Sequence, residues 1–247
     1  HWILAKMGKK VLRPGGKELT IKLVNNLKIK PTDDIVEFAP GLGFTASITL
    51  QKQPKSYTGV ELNEEAAKLL KKIVNGKGRR IILGSAARST LVENFADKVY
   101  GEAMLTMHSD HRKSEIIREA HRILKKGGLY GIHELGLYPN ELNEEIKGDI
   151  QKQLSQTIKV NARPLTQNEW TSLLEKEGFN IVQVDTNAMS LLESKRVIDD
   201  EGFFRTIKII FNILTHSNER KRILAMRKVF RKYDKHLNAI AIVVQKI

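Results

Sequence analysis

The stretch Ile35-Val36-Glu37-Phe38-Ala39-Pro40-Gly41-Leu42-Gly43-Phe44-Thr45 constrains this chain more than any other. An apolar strand runs into a turn bearing two glycines, and the turn opens a helix. Glu61, eighteen residues past Gly43, closes a second strand in the run Gly59-Val60-Glu61-Leu62-Asn63. Strand, glycine turn, helix and a second strand ending in a carboxylate describe a pocket at the carboxyl edge of a parallel sheet, suited to a nucleoside-bearing cofactor.

The residue types narrow the ligand. Gly41 and Gly43 let the backbone turn sharply and let a ligand approach with no Cβ in the way. Glu37, at the strand end, is expected to point into the crevice and hold an amino group, directly or through water. Glu61 suits both hydroxyls of a ribose, through charge-assisted hydrogen bonds. A phosphate cradle is poorly supported. The spacing is E-x-A-P-G-x-G rather than G-x-G-x-x-G, no G-K-[ST] follows, and an acid before the turn repels phosphate while favouring a cation.

Strands and helices alternate along the first half of the chain. Helices are expected over 2–12 and 17–28, split by Arg13-Pro14-Gly15-Gly16. Strands are expected near 34–38, 56–61, 80–83, 97–102 and 129–133, with helices over 44–52, 63–74 and 110–124 between them. Asn63 is a suitable N-cap, with Glu64 and Glu65 at the positive end of the helix dipole. Lys125-Lys126-Gly127-Gly128 is expected to end the 110–124 helix. Farther on, 139–162 reads as helical, Thr166 and Glu169 form a capping box for a helix over 167–177, and strands follow at 179–185 and 239–245. Such β-α repetition with helix-length spacers argues for a doubly wound α/β sheet covered on both faces.

Three zones follow from this: a helical cap over 1–30, a core over 31–186 and 236–247, and a helical insertion over 187–235. The insertion holds two apolar stripes, Phe203, Ile207, Ile210, Phe211 and Leu214, then Ile223, Met226, Phe230 and Tyr233. Three readings stand: both complete the core, they form a lid over an apolar substrate, or they dock on anionic lipid. The Arg13-Pro14-Gly15-Gly16 turn and Trp2 are further candidates to cover the pocket.

The 247 residues include no cysteine, which excludes disulfides and thiolate catalysis. No apolar run approaches the roughly 18–20 residues of a membrane span, and the first residues lack the pattern of a signal peptide. A cytoplasmic protein is expected. The net charge is +14, from 42 Lys and Arg against 28 Asp and Glu. The strongly one-signed zone, 219–235, has the composition of a polyanion footprint or of a solvated helix face.

Three segments in order resemble the class I S-adenosylmethionine-dependent methyltransferases, in particular the small-molecule type 11 group, over about residues 30–135. Val36 to Gly43 resembles the family's first motif, and Gly59-Val60-Glu61 its ribose-binding acid. Arg118-Glu119-Ala120-His121-Arg122-Ile123-Leu124-Lys125-Lys126-Gly127-Gly128-Leu129 resembles the R-x-L-K-P-G-G run before the fifth strand. The resemblance implies a Rossmann-like sheet of seven strands, mostly parallel with an antiparallel last strand, with N-terminal helices and a helical insertion or lid. It implies S-adenosyl-L-methionine as cofactor and S-adenosyl-L-homocysteine as product. Glu37, Ala39, Pro40, Gly41 and Gly43 would lie beside the methionine moiety, Glu61 at the ribose and Leu62 against adenine. Ser85 and Ala86 would line the adenine edge, and Glu102 and Ala103 would face the methyl donor and acceptor. Two positions depart from the pattern. Ala39 replaces the loop's first glycine and fits if its φ is negative; Ser85 stands where an Asp often binds the adenine amino group.

Methyl transfer from a sulfonium needs in-line alignment, and needs a base only if the nucleophile arrives protonated. Candidate bases are Glu102 and His133, at the ends of strands four and five, with His108, His111 and Glu134 behind them. No metal site is expected. The activity implied is transfer of a methyl group to O, N or S of a small, partly apolar molecule. The alternatives are an RNA methyltransferase using the 219–235 zone, a NAD(P)-binding oxidoreductase, and a non-catalytic nucleoside-binding protein.

Overall fold

A computed structural model describes residues 2–247, apart from the side chains of Trp2, Ser194 and Lys195. The covering role expected of Trp2 therefore lies outside the described residues. The elements run α1 (Trp2–Lys6), α2 (Gly16–Asn26), β1 (Asp34–Phe38), α3 (Phe44–Gln51), β2 (Ser56–Glu61), α4 (Glu64–Ile73), β3 (Arg79–Leu83) and β4 (Ala96–Glu102). A short 3-10 turn, Leu105–Met107, leads to α5 (Asp110–Ile123), β5 (Leu124–Leu137), α6 (Glu144–Ile158), β6 (Leu165–Thr166), α7 (Gln167–Lys176) and β7 (Phe179–Ala188). The chain ends with α8 (Ser194–Glu201), α9 (Phe203–Thr215), α10 (Ser217–Lys232) and β8 (Leu237–Lys246).

The strands form one sheet in the order β3-β2-β1-β4-β5-β8-β7, with β6 paired to β5 off that path. β1 to β6 pair in parallel, and β8 is antiparallel to both β5 and β7. The strand order reverses at β1 and β4, which opens the crevice where such sheets hold ligands.

Every residue of β1 is buried, because helices cover both sides. Val36 and Phe38 join a core with Ile116, Ile117 and Ala120 of α5 and Trp170 of α7. Ile35 faces the other way, into a core with Leu19 and Leu23 of α2 and with Tyr57 and Tyr100. Local signals also act as expected. The Asn63 side chain accepts from Ala66 N at 2.9 Å, and Thr166 and Glu169 cap α7 reciprocally.

Four differences from the sequence reading have physical causes. The first helix ends at Lys6 rather than residue 12, since Gly8 turns the backbone to φ 99°, and an extended strap continues to Gly15. β5 begins at Leu124, because Ala96 pairs with Leu124 before Lys98 pairs with Leu129, leaving Lys125–Gly128 as a bulge. A Cβ on Gly128 would lie 2.8 Å from Lys125 O and 3.0 Å from Asp97 O, so the bulge requires glycine there. The two-residue β6 adds an eighth strand that its length hid. The first insertion stripe does not complete the core, since Phe203, Ile207, Ile210, Phe211 and Leu214 are exposed. The second stripe packs inward, with Ile223, Met226 and Tyr233 buried.

Candidate functional site

At the carboxyl edge of β1, β2 and β4 lies a cavity of about 410 Å³. Small-molecule sites commonly measure about 300–1,000 Å³. Its walls include Ala39, Pro40 and Gly41 from the glycine turn, Glu61 and Leu62 from the end of β2, Ser85 and Ala86 after β3, and Glu102 and Ala103 at the end of β4. Nine of the expected cofactor residues are thus brought together, and Glu37 and Gly43 stand outside the lining.

The turn is held by Glu61. Its two carboxylate oxygens accept from Gly41 N and from Asn63 N, each at 2.9 Å. Gly41 has φ 59°, and a Cβ there would meet open space, with Ala39 O no nearer than 3.9 Å. Gly43 has φ 76°, and a Cβ on it would strike Ile73 Cδ1 at 2.9 Å. The first glycine therefore serves backbone conformation and the second also serves the packing of α3 on α4. Ala39 has φ 51°, so the condition of a negative φ is not met. A non-glycine residue in the left-handed region costs roughly 1–2 kcal/mol.

Glu37 does not enter the crevice in this arrangement. Its side chain is on the α2 side of the sheet, where Tyr57 and Tyr100 hydroxyls both donate to Oε2, the latter at 2.7 Å. Tyr100 also exchanges a 2.7 Å hydrogen bond with Thr49. Burial pushes the Glu37 carboxyl up to about 7, against the opposing pull of the two tyrosine donors, with Glu102 adding to the rise. Neither tyrosine was singled out by the sequence; only their inward register marks them, Tyr100 on β4 opposite Glu37 and Tyr57 on β2 opposite Ile35.

Glu102 and His133 form one buried network with the strap. Oε2 of Glu102 accepts from the Arg13 guanidinium and from Thr45, and Oε1 accepts from Thr20 at 2.7 Å and faces His133 Nδ1 at 2.8 Å. His133 Nε2 lies 2.6 Å from the Pro14 carbonyl oxygen. Burial alone would raise the Glu102 carboxyl; Arg13 and His133 overcome this and hold it at about 2. Both Glu102 oxygens are engaged and both His133 ring nitrogens are turned to Glu102 and the Pro14 carbonyl, so neither expected base is directed at a substrate. His133 is moreover fully buried and outside the cavity lining.

The other base candidates separate cleanly. Glu134 is buried and accepts from the amides of Met104, Leu105 and Thr106 at 2.8–3.0 Å, so it braces the loop after β4. His111 is exposed and pairs with Glu115. His108 lines the cavity, and burial, with Arg112 and Lys113 beside it, lowers its basicity below the ordinary histidine value.

The strap between α1 and α2 closes one side of the cavity through Lys10, Leu12 and Arg13. Arg13 stacks over the Phe44 ring, 5.5 Å from its centroid. The last two residues of α8 anchor the strap. Glu201 accepts from Lys10 N at 2.7 Å and Val11 N at 2.8 Å, while Asp200 pairs with buried Lys9 at 3.4 Å and accepts from Lys17 N at 2.8 Å. Sequence reading found the Arg13 turn but had no means of pairing it with Glu102, 89 positions away.

The protein-family model of the methyltransferase domain matches residues 36–132, which contain the turn, Glu61, Ser85 and Glu102. A relative in Haemophilus influenzae, described as an uncharacterized protein, is 36% identical over 251 residues, spanning 100% of this chain and 97% of its own. Solved structures share the fold at low identity. The cyclase SpnF superposes with a TM-score of 0.76 at 14% identity, covering 99% of this chain and 92% of that one. Phosphoethanolamine N-methyltransferase 2 of Haemonchus contortus, in complex with phosphomonomethylethanolamine and S-adenosylhomocysteine, gives 0.71 at 18% identity over 99% of this chain and 56% of that one. Geranyl diphosphate methyltransferase in complex with S-adenosylmethionine gives 0.67 at 14% identity over 93% and 85%.

The chain is similar over residues 36–132 to the methyltransferase domain and shares its fold with the solved structures, and the sequence resemblance gives S-adenosylmethionine as the cofactor to hold against the cavity. The cavity fits that cofactor: a carboxylate at the end of β2, a glycine turn with open space at Gly41, and apolar walls from Leu62, Met104, Met107 and Ile116.

Proposed function

We propose that the protein transfers the methyl group of S-adenosylmethionine to O, N or S of a small, partly apolar molecule. The observation that carries the reading is the convergence of Glu61, the Gly41 turn, Ser85 and Ala103 on one cavity whose walls are mainly apolar. When bound, the sulfonium supplies an electrophilic methyl carbon for in-line displacement by the acceptor.

This chain's residues divide the remaining work. Glu61 accepts from the ribose hydroxyls while its bonds to Gly41 and Asn63 fix the turn. Leu62 and Ala86 flank the adenine, with Ser85, held by Arg112 at 2.9 Å, at its edge. Glu102 sets the position of Arg13 and excludes water rather than taking a proton. Where the acceptor arrives protonated, the base is His108, whose ring lines the cavity and whose lowered basicity leaves it neutral near pH 7. The 187–235 segment governs the acceptor through the strap, which α8 holds. A small acceptor is favoured by the mainly apolar cavity walls, while part of the 219–235 basic zone is taken up internally, Arg227 and Arg231 with Glu193 and Lys232 with Asp149.

Thermal shift and calorimetry with S-adenosylmethionine, S-adenosylhomocysteine and NADH test the cofactor site. Both sulfur nucleosides should raise the transition by mass action, NADH should not, and Glu61→Ala should abolish the shift. No shift with either sulfur nucleoside overturns the site assignment. For the base, His108→Asn should lower kcat and remove the acidic limb of its pH profile with a protonated acceptor. An unchanged profile refutes that role.

A further inference from the structure

Helix α9 has two apolar faces, and among the described residues only one is covered. Thr206 and Ile209 are buried, Ile209 in a core with Ile3, Leu4 and Met7 of the N-terminal segment and Ile223 and Met226 of α10. The second face is formed by Phe203, Phe204, Ile207, Ile210, Phe211 and Leu214, each at least half exposed, with Phe204 at 86% and Phe211 at 64%. At 3.6 residues per turn these six occupy an arc of about 120°. A helix at a protein's surface ordinarily places charge there, and a contiguous apolar face of this size marks an interaction site.

The charge along α9 and α10 is strongly positive. Residues 203–235 contain ten Lys and Arg against Glu219 and Asp234 alone. Glu193 engages Arg227 and Arg231, and Asp149 engages Lys232. Lys208 on α9 and Lys221, Arg222 and Lys228 on α10 form no ion pair among the described residues. α10 begins two residues after α9 ends, so the cationic helix adjoins the apolar one.

We propose that α9 docks this protein on an anionic lipid bilayer, with its aromatic and aliphatic face in the boundary between headgroups and acyl chains. The lysines and Arg222 provide attraction to the lipid phosphates. An apolar stripe beside unpaired cations matches an interface that is apolar within and anionic at its surface. A second copy of the chain fits less well, because pairing two α9 faces brings two cationic surfaces together on molecules of net charge +14 each. A nucleic acid would use the cations and leave six large apolar side chains in water. No helix among the described residues is long and apolar enough to cross a membrane, so the contact is peripheral.

Flotation of the full chain with vesicles of phosphatidylcholine, alone or mixed with phosphatidylglycerol, tests the proposal without reference to catalysis. Binding is expected to the mixed vesicles, to weaken with salt, and to be slight on phosphatidylcholine alone. Phe204→Ser with Phe211→Ser should weaken it about tenfold or more, and Lys208→Gln with Lys228→Gln about fivefold per residue. These side chains lie at the surface, so the variants should keep the wild-type circular dichroism and Tm. No binding to mixed vesicles at low salt overturns the proposal. So does binding that is indifferent to the phenylalanine changes, which assigns the cations to a soluble polyanion. A dimer in sedimentation that Phe204→Ser and Phe211→Ser dissociate, with no vesicle binding, assigns the face to a second copy instead.

Discussion

Replacing Glu37 by glutamine should change the pH dependence of stability in one definite direction. The carboxyl sits in the sheet with Tyr57 and Tyr100 donating to a single oxygen, and its pKa is raised from 4.5 to about 7, mainly by burial. Below about pH 4.5 the folded and unfolded states both hold the proton, and the group contributes nothing to the pH slope. Between 4.5 and 7 the unfolded chain releases the proton while the folded chain retains it, so stability falls as pH rises. Above about pH 7 the folded carboxyl ionises too. The accumulated loss then levels off at about 3 kcal/mol, since each tenfold difference in proton affinity between the two states is worth about 1.4 kcal/mol. The Glu37→Gln side chain is neutral throughout and keeps an oxygen for the tyrosines, while its amide nitrogen adds a pH-independent penalty of about 1–3 kcal/mol if it finds no acceptor. The measurement is urea unfolding of both proteins from about pH 4 to about pH 9, read as the difference between them, which cancels groups they share. The variant should gain on the wild type by about 3 kcal/mol across the window. Parallel curves would refute the reasoning, because they would mean that folding leaves the proton affinity of Glu37 unchanged.

Two other substitutions probe the same region. Arg13→Met leaves Glu102 buried without its guanidinium partner and should destabilise by about 3–5 kcal/mol in chemical unfolding; adding Glu102→Gln should restore part of this, and additive losses would deny the pair. Ala39→Gly relieves left-handed strain of roughly 1–2 kcal/mol against a glycine entropy cost of about 0.5–1 kcal/mol. It should leave Tm level or higher, whereas the β-branched Ala39→Val should lower it; the reverse order would show that φ at this position does not govern the loop.

The glycine-turn side of the cavity was legible because its parts are local. Gly41 and Gly43 announce backbone conformations, and Glu61 announces a strand end, so spacing along the chain nearly substitutes for distance. The capping residues Asn63 and Thr166 were readable for the same reason: each bonds an amide within three residues. The Arg13–Glu102–His133 network was not readable, since its members come from the strap, β4 and β5 and meet only after the sheet has assembled. Glu37 shows the same limit in a sharper form. Its place at the end of β1 suggested the crevice, but the register that puts it beside Tyr57 and Tyr100 on the α2 side is a property of three strands. The exposed stripe of α9 was found by periodicity, which reports that a face is apolar and is silent on whether anything covers it.

The anchoring of the strap by Asp200 and Glu201 has a thermodynamic consequence. These residues end α8, and α9 begins after a single glycine, Gly202, whose φ is 79°. One joint therefore meets the cavity wall on one side and the exposed helix on the other. If occupancy of α9 alters the free energy of that joint, it alters the cofactor's affinity by some factor, and the cofactor must alter the occupancy of α9 by the same factor. A titration with S-adenosylhomocysteine on and off vesicles would read that factor from both ends, and agreement of the two values would show the joint acting as a single energetic link.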